Sequence, residues 1–198
     1  MVQILKYGNT NTYYIASGTK GLLVDTAWAG TLPAFFKEIK RKNIKVEDIG
    51  YLLITHYHPD HMGIAGELVE LGVCLLVMDL QQDYVHSSDA IFAKDDRMPF
   101  KPISLERATV ISCAESRAFL KKLGIDGEIL ATPGHSEDSV SVVLDEGIAI
   151  VGDLYPLDSV LAYQSEVLEQ SWNALLSKGL QTVYYGHAKE FDVRGRRA

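Results

Sequence analysis

The feature that most constrains this chain is a run of six residues holding three histidines and an aspartate, His56-Tyr57-His58-Pro59-Asp60-His61. It follows residues 49–55, a near-continuous apolar run of the kind found in strands that are buried on both faces. The run is therefore predicted to lie at the C-terminal end of a buried strand. Because residues two apart in an extended segment point to the same side, His56 and His58 can offer ring nitrogens to one metal ion.

The second half of this motif is predicted to approach a helix. Pro59 is expected to turn the chain, which places Asp60 and His61 just before the helix begins. Gly63 and Gly66 are expected to leave room for that helix to sit close to the site. Four potential ligands within six residues indicate a metal centre rather than a histidine-rich surface loop.

Three further candidate ligands stand where other predicted strands end: His135 follows Ala131-Thr132-Pro133-Gly134, Asp153 follows Val151-Gly152, and His187 follows Tyr185-Gly186. Each preceding glycine is expected to allow a tight turn at the strand terminus. Imidazoles and carboxylates without thiolates suit zinc, manganese or iron. Five histidines and two aspartates can complete two metal sites while leaving a shared position open for water.

The apolar pattern predicts a mixed α/β layered fold in one domain over residues 1–198. Strands are predicted at 11–15, 21–25, 49–55, 73–78, 129–132, 140–144, 148–151 and 182–185, and helices at 31–42, 63–71, about 112–123 and about 166–177. Residues 79–107 lack a regular pattern and are expected to form loops with one short helix. The aromatic and apolar residues of this segment, among them Phe92, Met98 and Phe100, are predicted to select the substrate.

Charge and composition argue against several classes of partner. A formal net charge of −7 and a pI near 5.3 disfavour a nucleic acid, and the basic cluster Arg194, Arg196 and Arg197 is interpreted as a solvated tail. The sequence contains no run of about twenty apolar residues, so no membrane span is predicted. The N-terminus lacks the basic and apolar regions of a secretory signal, so we expect a cytoplasmic protein.

The His-x-His-x-Asp-His motif, together with the distant His, Asp and His, resembles the metallo-β-lactamase superfamily over nearly the whole chain. The resemblance implies a four-layer αββα sandwich with the metals at one edge. It also implies a division of the ligands: His56, His58 and His135 on a first metal, Asp60, His61 and His187 on a second, and Asp153 bridging the two. The implied cofactors are two Zn²⁺ ions, with iron or manganese possible.

The bridging aspartate narrows the resemblance within the superfamily. True β-lactamases of this superfamily place Cys or Ser where this chain has Asp153, whereas a carboxylate there resembles the glyoxalase II thioesterases, acyl-homoserine lactonases and ribonuclease Z nucleases. Glyoxalase II carries a helical C-terminal domain, yet this chain ends eleven residues after His187. Ribonuclease Z adds an arm for transfer RNA that is not evident here. Flavodiiron proteins have Glu where this chain has His58.

The implied activity is hydrolysis of an ester, thioester or lactone in a small-molecule substrate. A hydroxide bridging the two metals would attack the carbonyl, and Asp60 would orient it besides binding metal. The alternatives are a mononuclear iron oxygenase or persulfide-oxidising enzyme on the same fold, a β-lactamase, a phosphodiesterase, and a non-catalytic metal-binding scaffold. A complete second ligand set favours the hydrolase.

Other polar residues near predicted strand ends have two interpretations each. Asp25 and Thr55 either support the ligands by hydrogen bonds or only cap their strands. Tyr155 and His86 either contact the substrate or are, respectively, a packed tyrosine and an exposed histidine. Lys189 either attracts a substrate carboxylate or is a solvated lysine. Neither the substrate nor the oligomeric state follows from the sequence.

Overall fold

The computed structural model describes residues 2–18, 20–95 and 99–193. The predicted basic cluster of Arg194, Arg196 and Arg197 lies outside the described residues, as does Met98. The described strands are β1 (Val2–Leu5), β2 (Thr12–Ile15), β3 (Gly21–Val24), β4 (Ile49–Leu53), β5 (Cys74–Met78), β6 (Thr109–Ile111), β7 (Gly127–Ala131), β8 (Val140–Leu144), β9 (Ile148–Ile150), β10 (Thr182–Tyr184) and β11 (Phe191–Asp192). The α-helices are α1 (Leu32–Arg41), α2 (Pro59–Met62), α3 (Ala65–Glu70), α4 (Asp89–Phe92), α5 (Cys113–Lys122), α6 (Val160–Tyr163) and α7 (Glu166–Leu176), and 3₁₀ turns span Val46–Asp48, Asp79–Tyr84 and Leu157–Ser159.

The strands form two sheets. The first has the order β1-β2-β3-β4-β5-β6 and the second has the order β11-β10-β9-β8-β7. In the first sheet, β3 to β6 run parallel, while β1 and β2 form an antiparallel hairpin that continues into β3. Among the described strands of the second sheet, β9 and β10 pair in parallel, and the other neighbouring pairs are antiparallel.

Both faces of the central strands are buried, which explains their continuous apolar sequence. In β5, Leu75 and Val77 belong to a core packed under α1 and α3, whereas Leu76 and Met78 face the second sheet. Because side chains alternate along a strand, neighbouring residues supply different cores.

The second sheet divides its side chains in the same way. Val142 of β8 joins the core between the sheets, and Val143 packs on the outer side with Leu168 and Trp172 of α7. The layers are therefore helix, sheet, sheet and helix, which confirms the predicted αββα sandwich. Among the helices that the structure describes, none has the length and apolar character needed to cross a bilayer.

The predicted elements are present with ends shifted by one or two residues, and three short strands were not predicted. These are β1, β6 and β11, with four, three and two residues, each at an edge of its sheet. The irregular segment 79–107 was expected to hold one short helix. It holds α4 and, in addition, the 3₁₀ turns of Asp79–Tyr84.

Candidate metal centre

The seven predicted side chains come together at one end of the sandwich. His56 and His58 follow β4 of the first sheet, while His135, Asp153 and His187 follow β7, β9 and β10 of the second. Backbone hydrogen bonds hold this end of the sandwich together, one of them between the two sheets and one within the second sheet. The Val140 amide donates to the Thr55 carbonyl at 2.8 Å, and the Gly186 amide donates to the Gly152 carbonyl at 2.7 Å.

The first group of nitrogens has the spacing of a metal site. His58 Nδ1 lies 3.1 Å from His56 Nε2 and 3.1 Å from His135 Nε2. Two nitrogens bound tetrahedrally at about 2.0–2.1 Å from one ion would lie about 3.3 Å apart. Burial, followed by the neighbouring imidazoles, lowers the pKa of His56, so this side chain is held in the neutral state that binds a metal.

The second group consists of Asp60, His61 and His187, whose ligand atoms lie within 4.8 Å of one another. His187 Nε2 lies 2.9 Å from Asp60 Oδ2. Both residues are partly accessible, whereas the side chain of His61 is fully buried. One side of this group is therefore open to a ligand from solution.

Asp153 lies between the two groups. Its Oδ1 is 3.3 Å from His61 Nε2, and its Oδ2 is 3.4 Å from His187 Nε2 and 3.9 Å from His135 Nε2. Burial alone would raise the pKa of Asp153, but His61 and His187 outweigh it and lower that pKa below its usual value. An ionised carboxylate thus faces nitrogens of both groups.

The donor set fits divalent metal ions. His61 Nε2 is a buried atom that makes no hydrogen bond of good geometry among the described residues, although Asp153 Oδ1 lies 3.3 Å away, and it faces the cluster. Leaving such an atom unpaired is costly, and a cation coordinated there removes that cost. Burial lowers the pKa of His61, but Asp25 and Asp153 outweigh it and raise that pKa to about 10. The field at His61 therefore favours positive charge, whether it is carried by a proton or by a metal.

The local path of the motif differs from the predicted one in two ways. Pro59 is the first residue of α2 and His58 precedes it, so Asp60 and His61 lie inside this short helix rather than before it. Proline suits that first position because its missing N–H would have no partner there. A Cβ on Gly63 would collide with the Ala29 amide. The glycines at 63 and 66 thus make room for neighbouring loops, and not for the metal site.

Two of the glycines before the candidate ligands are required for different reasons. Gly152 has a φ of +56°, a left-handed conformation that favours glycine, which fits the predicted tight turn. Gly186 does not have a positive φ. A Cβ there would lie 2.5 Å from Asp153 Oδ1 and 2.7 Å from His61 Cε1. Close packing against the site, and not a tight turn, therefore requires glycine at position 186.

Asp25 and Thr55 do contact the candidate ligands. Asp25 accepts hydrogen bonds from the Thr55 amide at 2.6 Å and the Thr55 hydroxyl at 2.8 Å, and its Oδ2 lies 2.9 Å from His61 Nδ1. Thr55 Oγ1 lies 3.2 Å from His56 Nδ1. Both residues therefore support the imidazoles of candidate ligands as well as joining the ends of β3 and β4.

Gln81 and Asp138 form a second supporting network, which the sequence analysis missed. Asp138 Oδ2 accepts the Tyr57 amide at 2.7 Å, between the two histidines of the motif. Gln81 is fully buried and donates to the carbonyls of Ile54 and Asp138, both at 3.0 Å. Gln81 stands in the polar stretch Asp79-Leu80-Gln81-Gln82-Asp83 after an apolar strand, and nothing in that sequence distinguishes it from its polar neighbours.

The residues with open interpretations are placed as follows. The Tyr155 ring lies edge-on to the His135 ring, with centroids 5.6 Å apart, and stacks on Tyr163 at 4.3 Å and 17°. His86 contacts Asp89 at 2.9 Å with about half of its side chain exposed, and it does not join the cluster. Lys189 is exposed. Only Tyr155 among these lies beside a candidate ligand.

Two cavities involve residues that the sequence analysis or the site singles out. One of about 230 Å³ borders His135 directly and is also lined by Ser136, Glu137, Ser165 and Val167. The other, of about 400 Å³, is lined by Asp89, Ala90, Phe92, Ala93, Asp95, Phe100 and Pro102. There Phe92 and Phe100 stack with ring centroids 4.0 Å apart.

Residues 5–187 match the family model of the metallo-beta-lactamase superfamily. The chain therefore belongs to this superfamily, and it is an enzyme of the metallo-hydrolase type, with candidate His and Asp groups for the divalent metals that superfamily members bind.

Similar proteins agree with this assignment. The chain is 28% identical to the probable metallo-hydrolase MJ0888 of Methanocaldococcus jannaschii, over 74% of this chain and 68% of that protein. It is 26% identical to the atrochrysone carboxyl ACP thioesterase AacuM of Aspergillus aculeatus, over 90% of this chain and 50% of the relative. A similar thioesterase of Aspergillus fumigatus is 29% identical over 81% of this chain and 31% of the relative. The chain thus spans half or less of the length of these fungal relatives.

Solved structures share the fold. TTHA1623, described in a di-iron-bound form, has a TM-score of 0.72 and 22% identity, with 99% of this chain and 97% of that chain covered. The BLEG-1 B3 metallo-beta-lactamase has a TM-score of 0.71 and 19% identity, covering 98% and 95%. At these identities the likeness concerns the fold alone.

Proposed function

We propose that this protein is a dinuclear metal hydrolase, loaded with zinc, that cleaves a thioester or a related ester or lactone of a small molecule. The observation that carries the proposal is the position of Asp153, whose two oxygens face nitrogens of both histidine groups. A carboxylate can bind two ions about 3.5–4 Å apart through separate oxygens. Residues 1–198 would form one domain, since the family match covers 5–187.

Each candidate ligand has a role in this proposal. His56, His58 and His135 would hold the first ion, Asp60, His61 and His187 the second, and Asp153 both. Two such ions would supply a Lewis acid for the substrate carbonyl and lower the pKa of an attacking water toward about 7. Asp60, whose Oδ2 lies 2.9 Å from His187 Nε2, would accept a hydrogen bond from that water and so orient it, besides binding metal.

The aromatic surface beside His135 favours a flat acyl group on the substrate. Tyr163 stacks on Tyr155, and 52% of Tyr163 is exposed, so its outer face is open to a third ring. Val167 is 48% exposed and lines the adjoining cavity. An exposed ring and an exposed apolar side chain near His135 suit an aromatic or conjugated group on the substrate. The relatives named as atrochrysone carboxyl ACP thioesterases make a thioester the first substrate class to test.

The decisive test is the metal content of the purified protein together with its activity on a panel. The panel holds an aryl thioester, an acetyl thioester, a lactone, a β-lactam and a phosphodiester. We expect about two zinc ions per chain and the highest kcat/KM on the aryl thioester. A protein saturated by one iron ion and active only as an oxygenase would contradict the proposal.

A variant distinguishes hydrolysis at this centre from a contaminating esterase. His58→Ala removes the nitrogen shared by the two 3.1 Å contacts of the first group. It should lose both metal and thioester hydrolysis, whereas His86→Ala, the histidine outside the cluster, should keep both. Equal activity in the two variants would place the reaction elsewhere.

A further inference from the structure

The 8–11 loop, which is part of the connection between β1 and β2, contacts the candidate ligands Asp60 and His187 of the second metal. We propose that this 8–11 loop is a clamp that positions Asp60 and His187 and so sets the affinity of the second ion. The inference rests on the dinuclear centre proposed above. It assigns a positioning role to Thr10 and Asn11, two residues that no motif singled out.

The clamp fixes the ring of His187. His187 Nδ1 lies 3.1 Å from the carbonyl oxygen of Asn9, which can only accept a hydrogen bond. The proton of a neutral ring is therefore held on Nδ1, and Nε2 is left free of hydrogen. This Nε2 faces Asp60 at 2.9 Å and Asp153 at 3.4 Å, so the ring is turned and prepared to bind a cation.

Asn11 holds the backbone on both sides of His187. Its amide Nδ2 donates to the carbonyls of Tyr185 and Ala188, both at 2.9 Å. Its backbone N–H donates to the carbonyl of Gly186 at 2.7 Å. Three hydrogen bonds from one residue thus bracket the ligand, although the two segments are more than 170 positions apart in sequence.

Thr10 holds the other ligand segment. Its hydroxyl donates to the carbonyl of Asp60 at 2.7 Å, and Thr10 is 1% exposed. Asp60 and His187 are therefore tied to one short loop. In the described part of the chain no hydrogen bond joins this loop to His56, His58 or His135, so the first group is held by other contacts.

Because the 8–11 loop contacts ligands of the second ion and not those of the first, changes in the loop should affect the affinity of the second ion alone. Loss of a partner that orients a ligand weakens metal binding about 10–100-fold. Asn11→Ala and Thr10→Val should weaken the second zinc by that factor, and should leave the first within about twofold. Thr10→Ser keeps the hydroxyl and should restore tight binding of the second ion. Asn173→Ala, an exposed asparagine of α7, is the matched control.

The experiment is a zinc titration of the chelated 198-residue protein against a chromophoric competitor, with cobalt absorption spectra as a second readout. Wild type should bind two equivalents in two steps, and Asn11→Ala and Thr10→Val should shift only the second. Thermal unfolding of the metal-free variants shows whether they fold. If Asn11→Ala does not fold, the comparison of Thr10→Val with Thr10→Ser decides the question.

The outcomes separate this inference from the proposed function. One equivalent in wild type would overturn the dinuclear centre and the clamp with it. Two equivalents in wild type with unchanged second steps in Asn11→Ala and Thr10→Val would overturn the clamp alone. Equal weakening of both steps would reduce the 8–11 loop to a general structural role and would also overturn the clamp.

Discussion

The carboxylate of Asp25 lies 2.9 Å from Nδ1 of His61, and neither side chain is exposed to solvent. The same carboxylate accepts two hydrogen bonds from Thr55, so its position is set by the end of β4. Asp25 has a φ of +61°, a conformation that Asp and Asn adopt more readily than most residues. The backbone thus places a buried negative charge behind the imidazole of a candidate metal ligand.

Asp25→Asn should weaken metal binding while preserving the fold. Asparagine fits the same backbone conformation and retains an oxygen for the Thr55 amide, but it removes the charge behind His61. We expect zinc affinity to fall about 10–100-fold. Asp83→Asn, on an exposed aspartate, is the control for charge. Unchanged zinc affinity in a folded Asp25→Asn protein would show that His61 needs no charged partner.

Asp153→Ala should reduce the metal content toward one ion per chain. The first site would keep three neutral imidazoles, which are sufficient for zinc, whereas the second would lose its shared anchor. Hydrolysis near neutral pH should fall by orders of magnitude, because the attacking water loses one cation. Metal analysis and a pH profile beside wild type measure both effects. Two tightly held ions with an unchanged profile would mean that Asp153 is not the bridge.

Removal of the metals should make stability depend on pH. In the metal-free protein the pKa of His61 is about 10, above its value of about 6.5 in an unfolded chain. Its contribution to stability is therefore complete below about pH 6.5 and is lost as the pH rises through about 10. The Tm of chelated protein should fall between about pH 7 and 10, more steeply than that of zinc-loaded protein. Parallel curves for the two forms would contradict the placement of this proton.

Tyr163→Ala should selectively raise the KM for substrates that have a flat acyl group. Loss of one stacked ring costs about 0.5–1.5 kcal/mol, which corresponds to roughly a 2- to 12-fold rise in KM. The acetyl thioester of the same thiol should be unaffected, and Tyr163→Phe should behave as wild type. Equal effects on both thioesters would exclude the tyrosine stack as an acyl subsite.

The second prediction on substrate specificity concerns the cavity lined by Phe92 and Phe100. Phe92 is 2% exposed and contacts Trp28 edge-on, so truncating it would disturb the core, whereas Phe100 is only partly buried. Phe100→Ala is expected to change the KM of at least one substrate, while Ile91→Ala, on an exposed residue of α4, should not. Identical constants for wild type and Phe100→Ala across the panel would remove this segment from substrate selection.

Much of the fold was predictable because long apolar patterns dominate it. Strand β4 and helices α1, α5 and α7 lie within two residues of their predicted bounds. Strands β1, β6 and β11 were not predicted, since two to four residues carry too little periodicity to distinguish an edge strand from a loop. These strands form because they pair with a neighbouring strand of the sheet. In β1, for example, Val2 lies opposite Ile15 of β2.

The sequence by itself determined which side chains could bind metal, because the motif from His56 to His61 is local and the strand ends before His135, Asp153 and His187 are visible in the apolar pattern. Only the tertiary structure decided which residues support them. Gln81, Asp138 and Asn11 have no periodicity or spacing that marks them, and their hydrogen bonds run between distant segments. The packing of the two sheets brings those segments together, and side-chain pairing at that distance is a property of the fold and not of any local pattern.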